Sequence, residues 1–201
     1  MKPTILSKSG ALPVEGNVKI RPESLFGLGK FGTITADPPW HYNDQYEIGA
    51  TRYYHTMSLE EIKSLPVNEI AMKDSHLYLW VTNAFVKEGH DVCRCWGFEP
   101  KTLLTWVKTG KDGQVVFGMG YYFRGATEHV IFATRGKLRT LDRSIPTVFF
   151  APRCAHSVKP AKFYRIVEKM SPWQRIELFA RKPREGWMTW GEEVDVTKGG
   201  K

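Results

Sequence analysis

Nowhere in the 201 residues do eighteen apolar residues run together, so no transmembrane helix is expected. The N-terminus has none of the apolar core of a secretory signal, and the chain reads as soluble and intracellular, with no membrane partner. Cysteine is scarce. Cys93, Cys95 and Cys154 make an odd number without a C-x-x-C pair, which argues against a disulfide framework and a zinc site. The six histidines stand at no ligand spacing, and no metal is expected. Internal repeats, low-complexity tracts and long linkers are missing too. Acidic residues are outnumbered, 21 against 29 Lys and Arg, and the resulting +8 suits a polyanionic partner because each neutralised phosphate releases counterions. A solvated basic surface would give the same balance, so charge permits nucleic acid without requiring it. Aromatics, 13% of the chain with seven Trp, serve equally for stacking on bases or filling a core.

What is present alternates between strand-like and helix-like segments. Phe31 to Ala36 (FGTITA) predicts a strand that stops at Asp37-Pro38-Pro39, since proline cannot continue a central strand. Ser58 opens a helix with capping-box spacing to Glu61. His76 to Thr82 is a near-continuous apolar run, as expected of a strand buried on both faces. Phe85 to Trp96 predicts a helix ended by Gly97. Thr102 to Lys108 and Glu128 to Thr134 predict strands, and Lys159 to Met170 an amphipathic helix with Pro160 in its first turn. Gln174 to Ala180 and Trp187 to Trp190 close the series. The expected fold is α/β, a mostly parallel sheet flanked by helices on both faces, with ligands beyond the carboxyl ends of its strands. Asp37 and Arg181 should share that rim. The expected organisation is an irregular arm over 1–28, a single domain over 29–195 and a frayed tail over 196–201.

One motif is a decoy. Gly27-Leu28-Gly29-Lys30-Phe31-Gly32 spells G-x-G-x-x-G, but it precedes a strand instead of following one, so it reads as a turn. Asp37-Pro38-Pro39-Trp40 carries more. A carboxylate and a rigid proline carbonyl can accept the two N–H groups of an exocyclic aromatic amine, favouring a pyramidal, more nucleophilic nitrogen. Trp40 would offer a flat face to a base. Transfer of a methyl group in line to such a nitrogen is mainly a matter of positioning.

The segments TADPPW, YHTMSLEEIKSLP, HLYLWVT, WVKTG, RGATEHVIFATRG, KPAKFYRIVEKMSP and RIELFARKPREGWMTWGEEVD resemble the adenine methyltransferases with a DPPW motif. That family includes the catalytic subunit of the eukaryotic mRNA adenosine methyltransferase and bacterial and phage relatives. The likeness runs from about Gly29 to Asp195, with the catalytic strand first and the cofactor-binding strands last. It implies a Rossmann-like fold in permuted order, S-adenosyl-L-methionine as cofactor and methylation of the N6 amine of adenine, in DNA before RNA. The implied setting is the cytoplasm of a bacterial or phage-infected cell, where a homodimer or a partner subunit stays open.

By the same resemblance Asp37, Pro38, Pro39 and Trp40 form the catalytic centre, and Tyr54 lines the adenine pocket. The cofactor falls to Ile20, Asp37, Pro38, Lys159, Phe179, Arg181, Glu192 and Glu193. Three departures stand out: Glu192 replaces an amide, Thr127 a lysine, and Lys19 an aspartate. The segment from Lys108 to Arg124 mixes basic, aromatic and glycine residues, which suits a mobile loop over a flipped base, so Lys108 and Arg124 are expected substrate contacts. Arg135, Lys137, Arg139 and Arg143 form a further basic stretch, equally a solvated loop or a phosphate contact. Two other readings remain: a non-catalytic nucleic-acid-binding subunit, and a methyltransferase acting on a protein amide or a small molecule.

Overall fold

The structure, a computed structural model, describes residues 22–41, 56–120, 122–154 and 158–191. Strand β1 spans Phe31–Ala36, β2 Ala71–Val81, β3 Glu99–Thr109, β4 Thr127–Arg135, β5 Val148–Pro152, β6 Arg175–Leu178 and β7 Met188–Trp190. They form one seven-stranded sheet in the order β5-β3-β4-β2-β1-β6-β7. Only β4 runs antiparallel to its neighbours, β2 and β3; every other pairing is parallel. The expected mostly parallel sheet is present, with one strand reversed inside it.

The helices are short, and three of the four described sit where the local signals put them. Helix α1 (Leu59–Ser64) begins at Ser58, whose hydroxyl accepts from the Glu61 N–H while the Glu61 carboxylate accepts from the Ser58 N–H at 2.7 Å. This reciprocal cap satisfies two donors that the first turn would otherwise leave unpaired. Pro66 separates it from α2 (Val67–Ile70). Helix α3 (Val86–Cys95) follows a 3-10 turn at Asn83–Phe85, and the chain leaves it through Gly97 with φ +81°, the left-handed exit that glycine takes without strain. Helix α4 (Ala161–Met170) starts two residues later than the sequence implies, with Pro160 as its cap.

Alternation along the strands divides the interior between two faces. Leu77, Leu79 and Val81 of β2 join Ile131 and Ala133 of β4 beneath α1, α2 and α3. The intervening Tyr78, Trp80, Val130 and Phe132 pack under α4, against Phe163 and Val167. Buried indoles find partners: Trp96 donates to the Ile62 carbonyl at 2.9 Å and Trp106 to that of Ala151 at 2.9 Å. Part of the expected arm joins this core. Leu25 is fully buried, and Ser24 accepts from the Trp190 indole. The glycines at 27 and 29 have φ of +84° and +103° in a turn leading into β1, so the G-x-G-x-x-G spelling is a turn.

Strand β1 lies between β2, reached next in the chain, and β6, reached only after α4. The winding therefore changes side at β1. In open α/β sheets the crevice beyond such a switch point is where ligands bind, because the connections diverge there and leave a gap. Asp37 is the first residue past β1 at that place.

Candidate active site

Asp37 owes its position to Pro38 and Pro39, which end β1 and turn the chain. The Pro38 carbonyl accepts from the Trp40 N–H at 2.9 Å, and the Pro39 carbonyl from the Met57 N–H at 2.9 Å. Each carbonyl keeps a second lone pair. Trp40 behaves differently from the sequence expectation. Its ring is 7% exposed, is stacked on Phe85 with centroids 5.2 Å apart, and donates to the Trp80 carbonyl at 3.1 Å. The indole anchors the turn from within and presents no broad open face to a base, because a strand end followed by two prolines needs a packed group to hold it down.

A chain of charges runs along the rim. Lys159, just before α4, stands 3.1 Å from Asp37 Oδ2 and 2.9 Å from Glu128 Oε2. Glu128 Oε1 meets Lys108 Nζ at 2.7 Å. The Lys159 ammonium also lies 4.8 Å from the centroid of the Trp80 ring. All four side chains are mostly buried, so each charge depends on its neighbours.

Two carboxylates thus share two lysines unequally. Burial pushes the carboxyl of Glu128 up, but Lys159 and Lys108 together outweigh it and hold Glu128 below its ordinary value. Burial pushes Asp37 up as well; Lys159 opposes this, Glu128 adds to it, and Asp37 stays above its ordinary value. Burial alone would lower Lys159, yet Asp37 and Glu128 keep it above the usual range and fully charged. Asp37 is therefore the more basic carboxylate, partly exposed at the crevice and held in one orientation by a cation.

The other end of the crevice is built by the turn after β6. Ala36 pairs with Leu178, so Asp37 and Phe179 leave adjacent strands side by side. Phe179 has φ +63°, the one positive value outside glycine among the described residues, and its ring packs edge-on to Trp190 at 5.5 Å. Arg181 follows, close enough to lower the Asp37 carboxyl. Just below the rim, the half-buried Glu177 accepts from the Tyr164 hydroxyl, and Arg184 lies 3.7 Å from its other oxygen.

Of the residues singled out from sequence, the structure brings Asp37, Lys159, Lys108, Phe179 and Arg181 to one rim. Lys108 is engaged by Glu128 there. Arg124 stands exposed on the loop between β3 and β4, its guanidinium 3.7 Å from Met119 Sδ. Ile20, Tyr54, Glu192 and Glu193 lie outside the described residues, as does the departure at Lys19. Thr127 donates to Asn83 at 3.5 Å. Glu128 was not singled out, although its signal was available: an acidic residue opening a strand two positions from a glycine-rich loop. An open cleft of about 360 Å³ at the opposite end of the sheet, between Arg94, Lys101 and Arg135, touches none of these residues. Among the described residues no cluster of His, Cys, Asp and Glu could hold a metal, and no helix is long and apolar enough to cross a membrane.

A mostly parallel sheet with helices on both faces and a carboxylate–lysine cluster at its switch point defines the Rossmann-like class of ligand-binding α/β domains. Within that class the chain belongs to the MT-A70 family, whose model matches residues 31–193. It is 34% identical over 174 residues to an N(6)-adenosine-methyltransferase MT-A70-like protein of Drosophila melanogaster, covering 84% of this chain and 28% of that one. The human N(6)-adenosine-methyltransferase catalytic subunit METTL3 is 29% identical over 174 residues, 84% of this chain and 29% of its own. The type II methyltransferase M.MunI of Mycoplasma sp is 31% identical over 192 residues, 84% of this chain and 80% of its own. The chain thus spans less than a third of those N(6)-adenosine-methyltransferases and four fifths of the type II enzyme.

Proposed function

We propose that this chain transfers a methyl group from S-adenosyl-L-methionine to the N6 amine of adenine in nucleic acid. One observation carries the reading: Asp37, raised above its ordinary carboxylate range, sits at the strand switch point with a cation fixing its orientation. Family membership supports both the reaction class and the cofactor.

The donor set fits the cofactor's methionine end, which carries an ammonium, a carboxylate and a sulfonium. Asp37 would take the positive groups, while Lys159 and Arg181 would suit the carboxylate. Phe179 supplies an apolar edge, and Ile20, Glu192 and Glu193 are assigned to the nucleoside part by resemblance. When bound, the cofactor supplies an electrophilic methyl group. Asp37 accepts one N–H of the adenine amine and the spare lone pair of the Pro38 carbonyl accepts the other, so the nitrogen lone pair is released from the ring toward the methyl. The surplus proton passes to Asp37 or on to water. Tyr54 is assigned to the adenine pocket, and Lys108 and Arg124 to the substrate side.

DNA is the first substrate of this proposal, supported by the match along most of a type II methyltransferase. RNA is the second reading, supported by the word adenosine in the names of the other relatives. Incubating the chain with radiolabelled cofactor and matched single-stranded DNA, duplex DNA and RNA decides between them. Label recovered in N6-methyladenine, most of it from DNA, is the expected result. A larger yield from RNA reverses the order of substrates, and no label in any of the three overturns the assignment.

A further inference from the structure

The segment between β3 and β4 has a firm base and an apolar tip. At its base the Lys108 N–H donates to Ala126 at 2.9 Å, Val116 donates back to Lys108 at 2.9 Å, and Gly118 donates to Gly125 at 2.8 Å. The hairpin thus continues past the sheet. At the bend a Cβ on Gly120 would overlap the Phe123 carbonyl oxygen, so the backbone folds back more closely than a side chain permits. Beyond this, Phe117, Met119, Tyr122 and Phe123 are exposed by 65%, 88%, 93% and 90%. Large apolar groups gathered at one protruding tip mark a contact surface.

Charge favours one kind of partner. The segment carries Lys111 and Arg124 against Asp112, whose carboxylate is occupied by the Gln114 N–H at 3.1 Å within its own turn. Its two roots are Lys108 and Glu128, the outer pair of the cluster that holds Asp37. Aromatic faces beside cations, rooted at the proposed methyl-transfer site of a chain with charge +8, match unpaired bases on a phosphate backbone.

We propose that residues 110–120 and 122–126 form a stacking wedge: Tyr122 and Phe123 insert against bases flanking the target adenine, and Lys111 and Arg124 contact the adjoining phosphates. This deepens the adenine-methyltransferase reading and rests on it for the identity of the target base. The wedge selects strands whose bases are already unpaired or easily opened, since insertion against a paired stack must first unstack it.

The test uses the whole chain and fluorescein-labelled oligonucleotides of about 15 nucleotides, a length matched to typical single-strand sites. Single-stranded DNA, single-stranded RNA, a duplex with an unpaired central bubble and a fully paired duplex are titrated by fluorescence anisotropy. The parent is expected to bind single strands and the bubble more tightly than the paired duplex. Tyr122→Ala/Phe123→Ala should weaken the first three by about 10-fold or more and leave paired-duplex binding nearly unchanged. Both positions are exposed, so the variant's thermal unfolding should match the parent's. Equal affinities for parent and variant overturn the wedge. So does a variant whose lost affinity accompanies dissociation of a dimer by light scattering, which would make the tip a subunit contact. A parent that binds as expected but methylates nothing leaves the wedge standing and removes the proposed function.

Discussion

Lys159 decides what Asp37 can do. It is shared between Asp37 and Glu128, while Glu128 alone also has Lys108. Removing the shared cation and removing its competitor should therefore move Asp37 in opposite directions. In Lys159→Met the Asp37 carboxyl rises further, and the acid limb of the methylation pH–rate profile should shift up by about one unit or more. In Glu128→Gln, Lys159 turns wholly to Asp37 and a neighbouring negative charge disappears, so the same limb should shift down. Profiles of the two variants shifting in the same direction would contradict the shared-cation account. Asp37 and Lys159 were visible in the sequence, one in its motif and one in the KPAKF segment. Glu128 carried a local signal too, but its place at the rim could not be read from it, for a topological reason. It opens an antiparallel strand, so its amino end lies at the rim where the parallel strands place their carboxyl ends.

Secondary structure followed local signals where these were sufficient. The cap at Ser58 and Glu61 is a four-residue pattern, and its bonds form as the spacing implies. Strand β5 escaped notice because nothing local requires it: five residues bounded by prolines, held at the sheet edge by pairing with β3 over forty residues away. The reversal of β4 is equally non-local. Packing inside the elements can be probed directly. Gly89 lets α3 approach the sheet so closely that a Cβ would fall 2.5 Å from Val81 and 2.7 Å from Ile131 side-chain carbons. Gly89→Ala should lower unfolding stability by about 1–3 kcal/mol in a denaturant titration, although alanine favours helix, because the overlap outweighs propensity. An unchanged or raised stability would show that the helix can shift freely. His76, on β2, accepts or donates to Ser171 Oγ at 2.8 Å and lies 3.2 Å from the Leu138 carbonyl. Burial lowers its pKa below 6.5, so the unfolded chain takes the proton first. Its contribution to stability is present above pH 6.5 and is lost as pH falls below that value. The melting temperature should therefore drop between about pH 7.5 and 5.5, and His76→Gln should flatten that slope; His129, also lowered by burial, adds a remainder of the same sign.

Across the molecule, chain order explains how the site assembles. The strand carrying Asp37 comes first and its partner β6 comes late, so the two walls of the crevice come from distant parts of the chain, with β2 to β5 and α4 between them in sequence. The sequence showed that both flanks end in polar residues, but their adjacency depends on strand order, which composition and spacing do not specify. In the proposed reading labour is divided: the basic surface and the β3–β4 loop would hold the polyanion, while Asp37 would serve the reacting amine and the cofactor's positive end. Replacing Asp37 by asparagine keeps its shape but removes the charge that accepts the proton. Methyl transfer and nucleic-acid affinity measured side by side for parent and Asp37→Asn test this division most directly. The prediction is a loss of methylation of about 100-fold or more with affinity essentially unchanged. Methylation persisting at the parental rate, or affinity collapsing together with activity, would contradict it.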